Sequence, residues 1–83
     1  MTIKLWLDMI RNERKRQDEK WGEQNHKPSQ WLAILQEEVS EVATSVALLD
    51  ASPQRQIALE KEMVHAAAVL QVMWECARRN GWL

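Results

Sequence analysis

Residues 31 to 43 read Trp31-Leu32-Ala33-Ile34-Leu35-Gln36-Glu37-Glu38-Val39-Ser40-Glu41-Val42-Ala43, and their apolar positions recur with the period of an α-helix. At about 100° per residue, the main apolar stripe of this helix contains Leu35, Val39, Val42, Val46 and Leu49. Glu38 falls at the edge of that stripe, Glu41 lies one turn further along in a half-apolar sector, and Glu37 points furthest out. Because acids on a surface that is to be buried repel one another and lose hydration, this pattern predicts a bound cation.

Length and composition predict one all-α domain over residues 1–83. The chain has only two glycines and two prolines, and it contains no alternating apolar run bounded by turn residues, so no sheet is expected. A monomer of this size buries only about 60% of its unfolded surface. The single cysteine excludes an intrachain disulfide. We therefore expect self-association to supply the missing stability.

Charge and hydropathy limit the partners. The formal net charge of -1 argues against nucleic acid as the main ligand. No signal-peptide pattern is present, and the most apolar run, residues 63–74, is interrupted by His65 and Gln71 and is too short to span a bilayer. We expect a soluble cytoplasmic protein that binds neither nucleic acid nor membranes.

The first helix should begin near Thr2, and its apolar residues recur at helical spacing: Ile3, Trp6, Leu7 and Ile10. Its second half is charged, and a solvated surface with i,i+4 pairs, such as Glu13 with Gln17, explains most of these residues individually. Gly22 supplies a left-handed helix end, and Pro28 disfavours helix for the residue before it, so a loop is expected at 22–28.

Turn residues also place the other two helices. Ser29 is expected to cap the second helix, which continues through the acidic stretch to about residue 49. Ser52 and Pro53 mark the N-cap and first position of the third helix. Gly81 should stop that helix at residue 79 or 80.

The third helix carries an acid inside its apolar side. That side contains Ala58, Ala66, Val69, Met73 and Cys76. Glu62 falls in its middle, His65 lies one turn later, and Cys76 is expected to be a buried packing residue. Because this helix is apolar over most of its circumference, two chains are expected to pair into a four-helix core with the first helices outside.

Packing of the second and third helices as antiparallel neighbours would bring Glu38 and Glu41 opposite Glu62 and His65. Mg²⁺ suits such a site, because it keeps several waters and completes its coordination with phosphate oxygens. The basic residues available for phosphate charge are Arg14, Arg16, Lys20 and Lys61. The residues available for a base are Trp21, His26 and Trp31, although ordinary core packing explains each aromatic ring equally well.

Three segments occur in a fixed order along most of the chain. They read Glu13-Arg14-x-Arg16-Gln17-Asp18-Glu19-Lys20-Trp21-Gly22-Glu23-Gln24-Asn25-His26, Trp31-Leu32-Ala33-Ile34-Leu35-x-Glu37-Glu38-x-x-Glu41-Val42 and Lys61-Glu62-Met63-Val64-x-Ala66-Ala67-Ala68-Val69. Together they resemble the MazG-like all-α nucleoside triphosphate pyrophosphohydrolases. The resemblance implies a helical dimer or dimer of dimers, Mg²⁺ held by carboxylates, and cleavage of a nucleotide between its α and β phosphates.

By position, the resemblance implies four acidic metal ligands: Glu37, Glu38, Glu41 and Glu62. Lys61 matches the basic residue often found before the last of these acids, and His26 with Pro28 matches a His-x-Pro of dCTP-hydrolysing members. In the hydrolysis that the resemblance implies, Glu37 or Glu41 accepts the proton of the attacking water.

His65 stands where the family usually has a metal-binding aspartate. An imidazole removes one negative charge and favours softer ions such as Mn²⁺. Three interpretations remain: His65 is a ligand, it lines the site or binds phosphate as imidazolium, or the protein binds nucleotide with little turnover. A core histidine satisfied by a carboxylate explains the residue as well as direct ligation does.

Two functions of other classes compete with the hydrolase. Glu-x-x-His on one helix with Glu from another is the ligand pattern of di-iron or di-manganese carboxylate bundles, but such bundles do not require the basic residues and the loop. The third candidate is a non-catalytic dimerising module whose acids bind a structural cation.

Overall fold

The computed structural model describes residues 2–83, which form three α-helices and a short 3-10 turn. The helices are α1 (Thr2–Trp21), α2 (Pro28–Ala47) and α3 (Gln54–Arg79), and the 3-10 turn spans Leu49–Ala51. No strand occurs between residues 2 and 83, so the predicted all-α fold is confirmed. None of the helices over these residues is long and apolar enough to cross a membrane.

The helix ends lie close to their predicted positions. Gly22 and Gly81 have the positive φ angles expected of left-handed helix ends, +69° and +76°. The prediction that Ser29 caps α2 is wrong, because the helix starts one residue earlier and the side chain of Gln30 accepts the backbone N–H of Lys27 at 2.8 Å. At the other end α2 stops at Ala47, and the residues that follow tighten into the 3-10 turn.

Helix α3 is the centre of the fold, because it packs against both α1 and α2. The core consists of Trp31 (1% exposed), Val72 and Cys76, with Ile34, Met73 and Trp82 packed against it. Cys76 is fully buried, as predicted. The side chain of Trp31 therefore belongs to the core and anchors the start of α2 against the end of α3.

The loop after α1 is fixed to the C-terminal end of α3 by Asn25. Its side-chain oxygen accepts hydrogen bonds from Arg79 (3.2 Å) and Asn80 (3.1 Å). Arg79 also donates to the backbone carbonyl of Gln24 at 2.8 Å. These bonds hold the following residue, His26, edge-on against the ring of Trp31, with 4.7 Å between the ring centroids.

The predicted apolar stripe of α2 is only partly buried within one chain. Leu35, Val42 and Leu49 are half-buried, whereas Val39 (53%) and Val46 (55%) are exposed. The inward side of α2 instead includes Trp31, Ile34, Glu38 and Ser45. The helix is therefore rotated relative to the predicted stripe, and this rotation brings Glu38 toward α3.

A salt bridge that the sequence did not predict joins α1 to α3. Arg14 is 8% exposed, and its Nε and Nη2 donate to the two carboxylate oxygens of Glu75 at 3.0 and 2.6 Å. Its remaining donors contact Gln17 (3.1 Å) and Asp18 (3.0 Å). Arg14 holds the pKa of Glu75 below its ordinary value. Because all three guanidinium nitrogens of Arg14 donate hydrogen bonds within the fold, the structure gives this residue a structural role. Its role in substrate binding stays a prediction.

Replacement of Glu75 by glutamine should weaken this link and change the dependence of stability on pH. The pKa of Glu75 is lowered from 4.5, so its contribution is fully present above about pH 4.5 and is lost as the pH falls through the lowered pKa. We expect Glu75→Gln to lose about 2 kcal/mol at pH 7, as for a hydrogen bond to a charged group. Urea denaturation at several pH values should show that the free energy of unfolding falls less on acidification in Glu75→Gln than in the wild type.

Glu60→Gln is the matched control, because Glu60 is an exposed acid on the same helix. An equal loss of stability in both variants would contradict a specific contribution of the Arg14–Glu75 pair.

Candidate metal centre

Three predicted ligands come together between α2 and α3. Glu38 from α2 and Glu62 and His65 from α3 each offer one ligand atom, and these atoms all lie within 4.8 Å of one another. The i,i+3 spacing of Glu62 and His65 places both on one side of α3. Two atoms that bind one ion at about 2.1 Å are separated by about 3 to 4.2 Å in octahedral coordination. Small side-chain rotations would therefore close the cluster around a single cation.

Two carboxylate oxygens of this cluster are buried without a partner. Oε2 of Glu38 and Oε2 of Glu62 each expose less than 1 Å² and accept no hydrogen bond from residues 2–83. Nδ1 of His65 lies 3.7 Å from Oε2 of Glu62, which is too long for a hydrogen bond. A buried carboxylate without a partner is costly, and a divalent cation would satisfy both oxygens at once.

The electrostatic environment of Glu38 is dominated by negative charge. Burial raises the pKa of Glu38, and repulsion by Glu41, with smaller effects of Glu62 and Glu37, raises it further; His65 opposes this shift. Without a metal, these surroundings therefore disfavour the ionised state of Glu38, which a metal ligand requires. A bound cation would reverse this balance.

Glu37 and Glu41, which were predicted as ligands and as candidate general bases, are exposed and lie outside the three-residue cluster. They line a cleft of about 320 Å³ that also contains Glu62. Both are thus close to the centre on its solvent side. This position suits contact with water or substrate better than enclosure of an ion.

Glu13 is the site residue that the sequence interpretation missed. Its Oε2 lies 3.9 Å from Nε2 of His65, and its side chain is only 11% exposed. Arg16 donates to both of its carboxylate oxygens at 2.9 and 2.7 Å, and Gln17 adds a contact of 3.3 Å, which confirms the predicted Glu13–Gln17 pair. Arg16 holds the pKa of Glu13 below its ordinary value, so this carboxylate is a stable anion beside the imidazole.

One signal could have identified Glu13. It continues the side of α1 that contains Trp6 and Ile10 at helical spacing, and both of these residues are partly buried. The surrounding run of charged residues hid this continuity, because such a run is typical of a solvated helix face.

Two further clefts open beside the cluster. The larger, of about 680 Å³, is lined by Arg16, Lys61 and His65 among others. The smaller, of about 310 Å³, reaches Glu38 and His65 and is bordered by Arg16 and Trp21. The cluster is therefore reached from a side that carries two cationic side chains and an exposed indole ring.

The remaining predicted substrate residues differ in how near they lie to these clefts. Trp31 borders the smaller cleft but belongs to the core, as ordinary packing predicted. The ammonium of Lys20 lies 4.7 Å from the ring centroid of Trp21. Trp21 lines the smaller cleft, whereas Lys20 does not. His26 packs edge-on against Trp31 and lines neither of these two clefts.

No protein-family model, curated protein or solved structure matches this chain. The interpretation of the centre therefore depends on the chemistry of its own residues.

Replacement of Glu38 by glutamine should stabilise the metal-free protein. The raised pKa of Glu38 means that its ionised form costs stability, which falls as the pH rises through that pKa. We expect Glu38→Gln to melt at a higher temperature than the wild type at pH 7.5 with a chelator present. In Mn²⁺ at about 100 times the dissociation constant, the wild type should gain about 2.7 kcal/mol and the variant much less.

Glu19→Gln is the control for this comparison, because Glu19 is an exposed acid of α1 outside the cluster. If Glu38→Gln behaves like this control in both the chelator and Mn²⁺, the cluster is not a cation site.

Proposed function

We propose that the chain is a metal-dependent nucleoside triphosphate pyrophosphohydrolase of the MazG-like type. It would convert a nucleoside or deoxynucleoside triphosphate to the monophosphate and pyrophosphate, as a cytoplasmic enzyme that cleanses the nucleotide pool. The observation that carries the proposal is the pair of buried, unpartnered carboxylate oxygens of Glu38 and Glu62 beside His65. The cationic residues of the adjacent clefts support a substrate of high negative charge.

The donor set of the cluster fits a divalent ion. Glu38, Glu62 and His65 would hold it through two carboxylates and one imidazole. Mg²⁺ is the ion that the family resemblance implies, and the imidazole favours Mn²⁺. When bound, the ion supplies Lewis-acid stabilisation of phosphate charge and a template for the substrate.

The protein's own residues divide the rest of the chemistry. Lys61 lines the larger cleft and would balance part of the phosphate charge that the ion leaves. Arg16, which is paired with Glu13, borders the same cleft. Trp21 offers an exposed ring at the smaller cleft on which a base can stack. Glu37 or Glu41 would take a proton from water, whose oxygen then bonds to the α-phosphorus while pyrophosphate leaves with the electrons of the broken P–O bond.

One observation favours a second candidate. Glu62 and His65 form a Glu-x-x-His pair, and Glu38 comes from the neighbouring helix, as in di-metal carboxylate bundles. Two chains would have to contribute such a set to hold two redox-active ions. An iron-dependent absorption band without pyrophosphate release would favour this di-metal function. Binding of nucleotide without release of pyrophosphate would instead favour a nucleotide-binding module.

The hydrolase proposal is tested with a panel of common and modified nucleoside triphosphates, assayed for pyrophosphate with Mg²⁺ and with Mn²⁺. We expect metal-dependent release of pyrophosphate with at least one substrate. Glu38→Gln and Glu62→Gln should each lower this rate by more than about 100-fold, because each removes a charged ligand of the ion that neutralises the phosphates. Circular dichroism would show that both variants remain helical.

His65→Asp is the informative comparison, because it restores the family's acidic residue. It should raise the activity with Mg²⁺ relative to Mn²⁺, since an oxygen ligand replaces a nitrogen ligand. Full activity in the Glu38 and Glu62 variants, or an unchanged metal preference in His65→Asp, would show that this site is assigned incorrectly.

We also propose that the working unit is a homodimer, or a pair of such dimers. Leu32, Val39 and Val46 are exposed on α2 at seven-residue spacing, and so share one side of that helix. Helix α3 likewise exposes Met63, Leu70 and Trp74. These surfaces on the two helices of the metal centre support a four-helix core formed by two chains.

Sedimentation at micromolar concentration should show a dimer or larger species whose thermal stability rises with concentration. Leu70→Glu should shift the protein toward unfolded monomer, because it places a charge in the interface. Leu5→Glu, at an exposed leucine of α1, should change neither property. A stable wild-type monomer would refute the four-helix arrangement.

A further inference from the structure

The imidazole of His65 lies between two carboxylates from different helices. Its Nδ1 is 3.7 Å from Oε2 of Glu62 on α3, and its Nε2 is 3.9 Å from Oε2 of Glu13 on α1. A neutral imidazole has one N–H and one lone pair, so it can donate to only one of these acids while the other nitrogen accepts a proton or binds a metal. Which nitrogen carries the proton therefore decides whether His65 can be a ligand.

Glu13 is placed to accept a hydrogen bond from the nitrogen of His65 that carries the proton. Arg16 binds both of its oxygens, and Gln17 contacts Oε2, so the carboxylate is held in place. Glu62, in contrast, has an oxygen, Oε2, that accepts no hydrogen bond from residues 2–83. The two acids beside His65 thus differ in kind: one is fixed and charge-balanced, and the other has an oxygen that a cation can satisfy.

We propose that Glu13 is the positioning residue of the metal centre: it accepts a hydrogen bond from the Nε2–H of His65 and thereby selects the tautomer whose Nδ1 lone pair lies on the side of Glu62. This inference rests on the metal site of the proposed function and extends it to a third helix. A rotation that shortens the Nε2–Oε2 distance by about 1 Å forms the hydrogen bond. Carboxylate–histidine pairs of this kind orient metal-bound imidazoles and raise their basicity.

The alternative tautomer shows why the pairing matters. With the proton on Nδ1, the N–H of His65 would point at Glu62 and occupy the oxygen that the ion requires. Loss of the negative charge at residue 13 removes the acceptor that favours the proton on Nε2, so the tautomer with the proton on Nδ1 becomes more populated. A glutamine there can also donate its amide N–H to Nε2, which favours the inactive tautomer directly.

The test compares Glu13→Gln with the wild type in two measurements. Titration with Mn²⁺, followed by the electron paramagnetic resonance signal of the free ion, should show affinity reduced by about 10- to 100-fold in the variant. Nitrogen-15 NMR of the metal-free protein at about pH 8.5, where an ordinary imidazole is neutral, should show the Nε2–H tautomer of His65 in the wild type and its loss in the variant. His26, the other histidine of the chain, is the internal reference.

Two further variants make the result specific. Glu60→Gln removes an acid that lines the same cleft as Glu13 and should keep both wild-type affinity and tautomer. Glu13→Asp keeps the carboxylate and should recover part of the affinity that Glu13→Gln loses. Circular dichroism of Glu13→Gln with and without Mn²⁺ separates weaker binding from unfolding.

Each outcome decides the inference. Wild-type Mn²⁺ affinity and tautomer in Glu13→Gln would overturn the role of Glu13 and leave the proposed hydrolase intact. A loss of affinity far beyond 100-fold with an unchanged tautomer would make Glu13 a direct ligand instead. Failure of the wild-type protein to bind Mn²⁺ would refute the metal centre and this inference together.

Discussion

The helix packing is constrained by two buried carboxylate oxygens in one cluster that accept no hydrogen bond from the part of the chain that the structure describes. Glu38 and Glu62 lie on the sides of α2 and α3 that meet, so the packing of these two helices also brings the two charges together. Repulsion and lost hydration oppose this approach. The core at Trp31 and Cys76 holds the helices in contact near their other end, and so keeps the acids close in the metal-free chain.

Two other partly buried acids of the chain are paired with arginine. Arg14 binds both oxygens of Glu75, and Arg16 binds both oxygens of Glu13. In each case the acid has a lowered pKa, whereas the pKa of Glu38 is raised. One fold thus contains two compensated acids, of which Glu75 joins α3 to α1, and an uncompensated set between α2 and α3. Groups with perturbed ionisation beside a cleft are typical of functional sites, and this contrast within a single small chain is the physical basis for a metal centre.

Helical periodicity was sufficient to predict much of this arrangement. It identified three helices, placed Glu38, Glu62 and His65 on facing sides and predicted the burial of Cys76. It did not find the role of α1, because side chains such as Glu13 and Arg14 are long and polar and can be either solvated or paired across helices. Only the packing of α1 on α3, which no local pattern encodes, decides between these states.

Local rules also failed where two of them competed. Serine is a strong N-cap residue, but Pro28 suits the first turn of a helix, and the side chain of Gln30 caps the helix from inside. The exposure of Val39 and Val46 has a different origin. Periodicity reports which residues are apolar, but it does not distinguish burial within a chain from burial against another chain.

The imidazole at position 65 gives the centre a requirement that an aspartate would not have. An aspartate binds a cation through either oxygen and has no tautomer to select, whereas a histidine binds only when its proton is on the other nitrogen. An aspartate at this position would also add an anion next to Glu13, in a cluster whose acids already repel one another. His65 and Glu13 are therefore complementary. The imidazole gives the cluster less negative charge than an aspartate would, and the fixed carboxylate of Glu13 on α1 is the partner that a metal-binding imidazole needs. This dependence connects the charged half of α1, which has the pattern of a solvated surface, to the chemistry between α2 and α3.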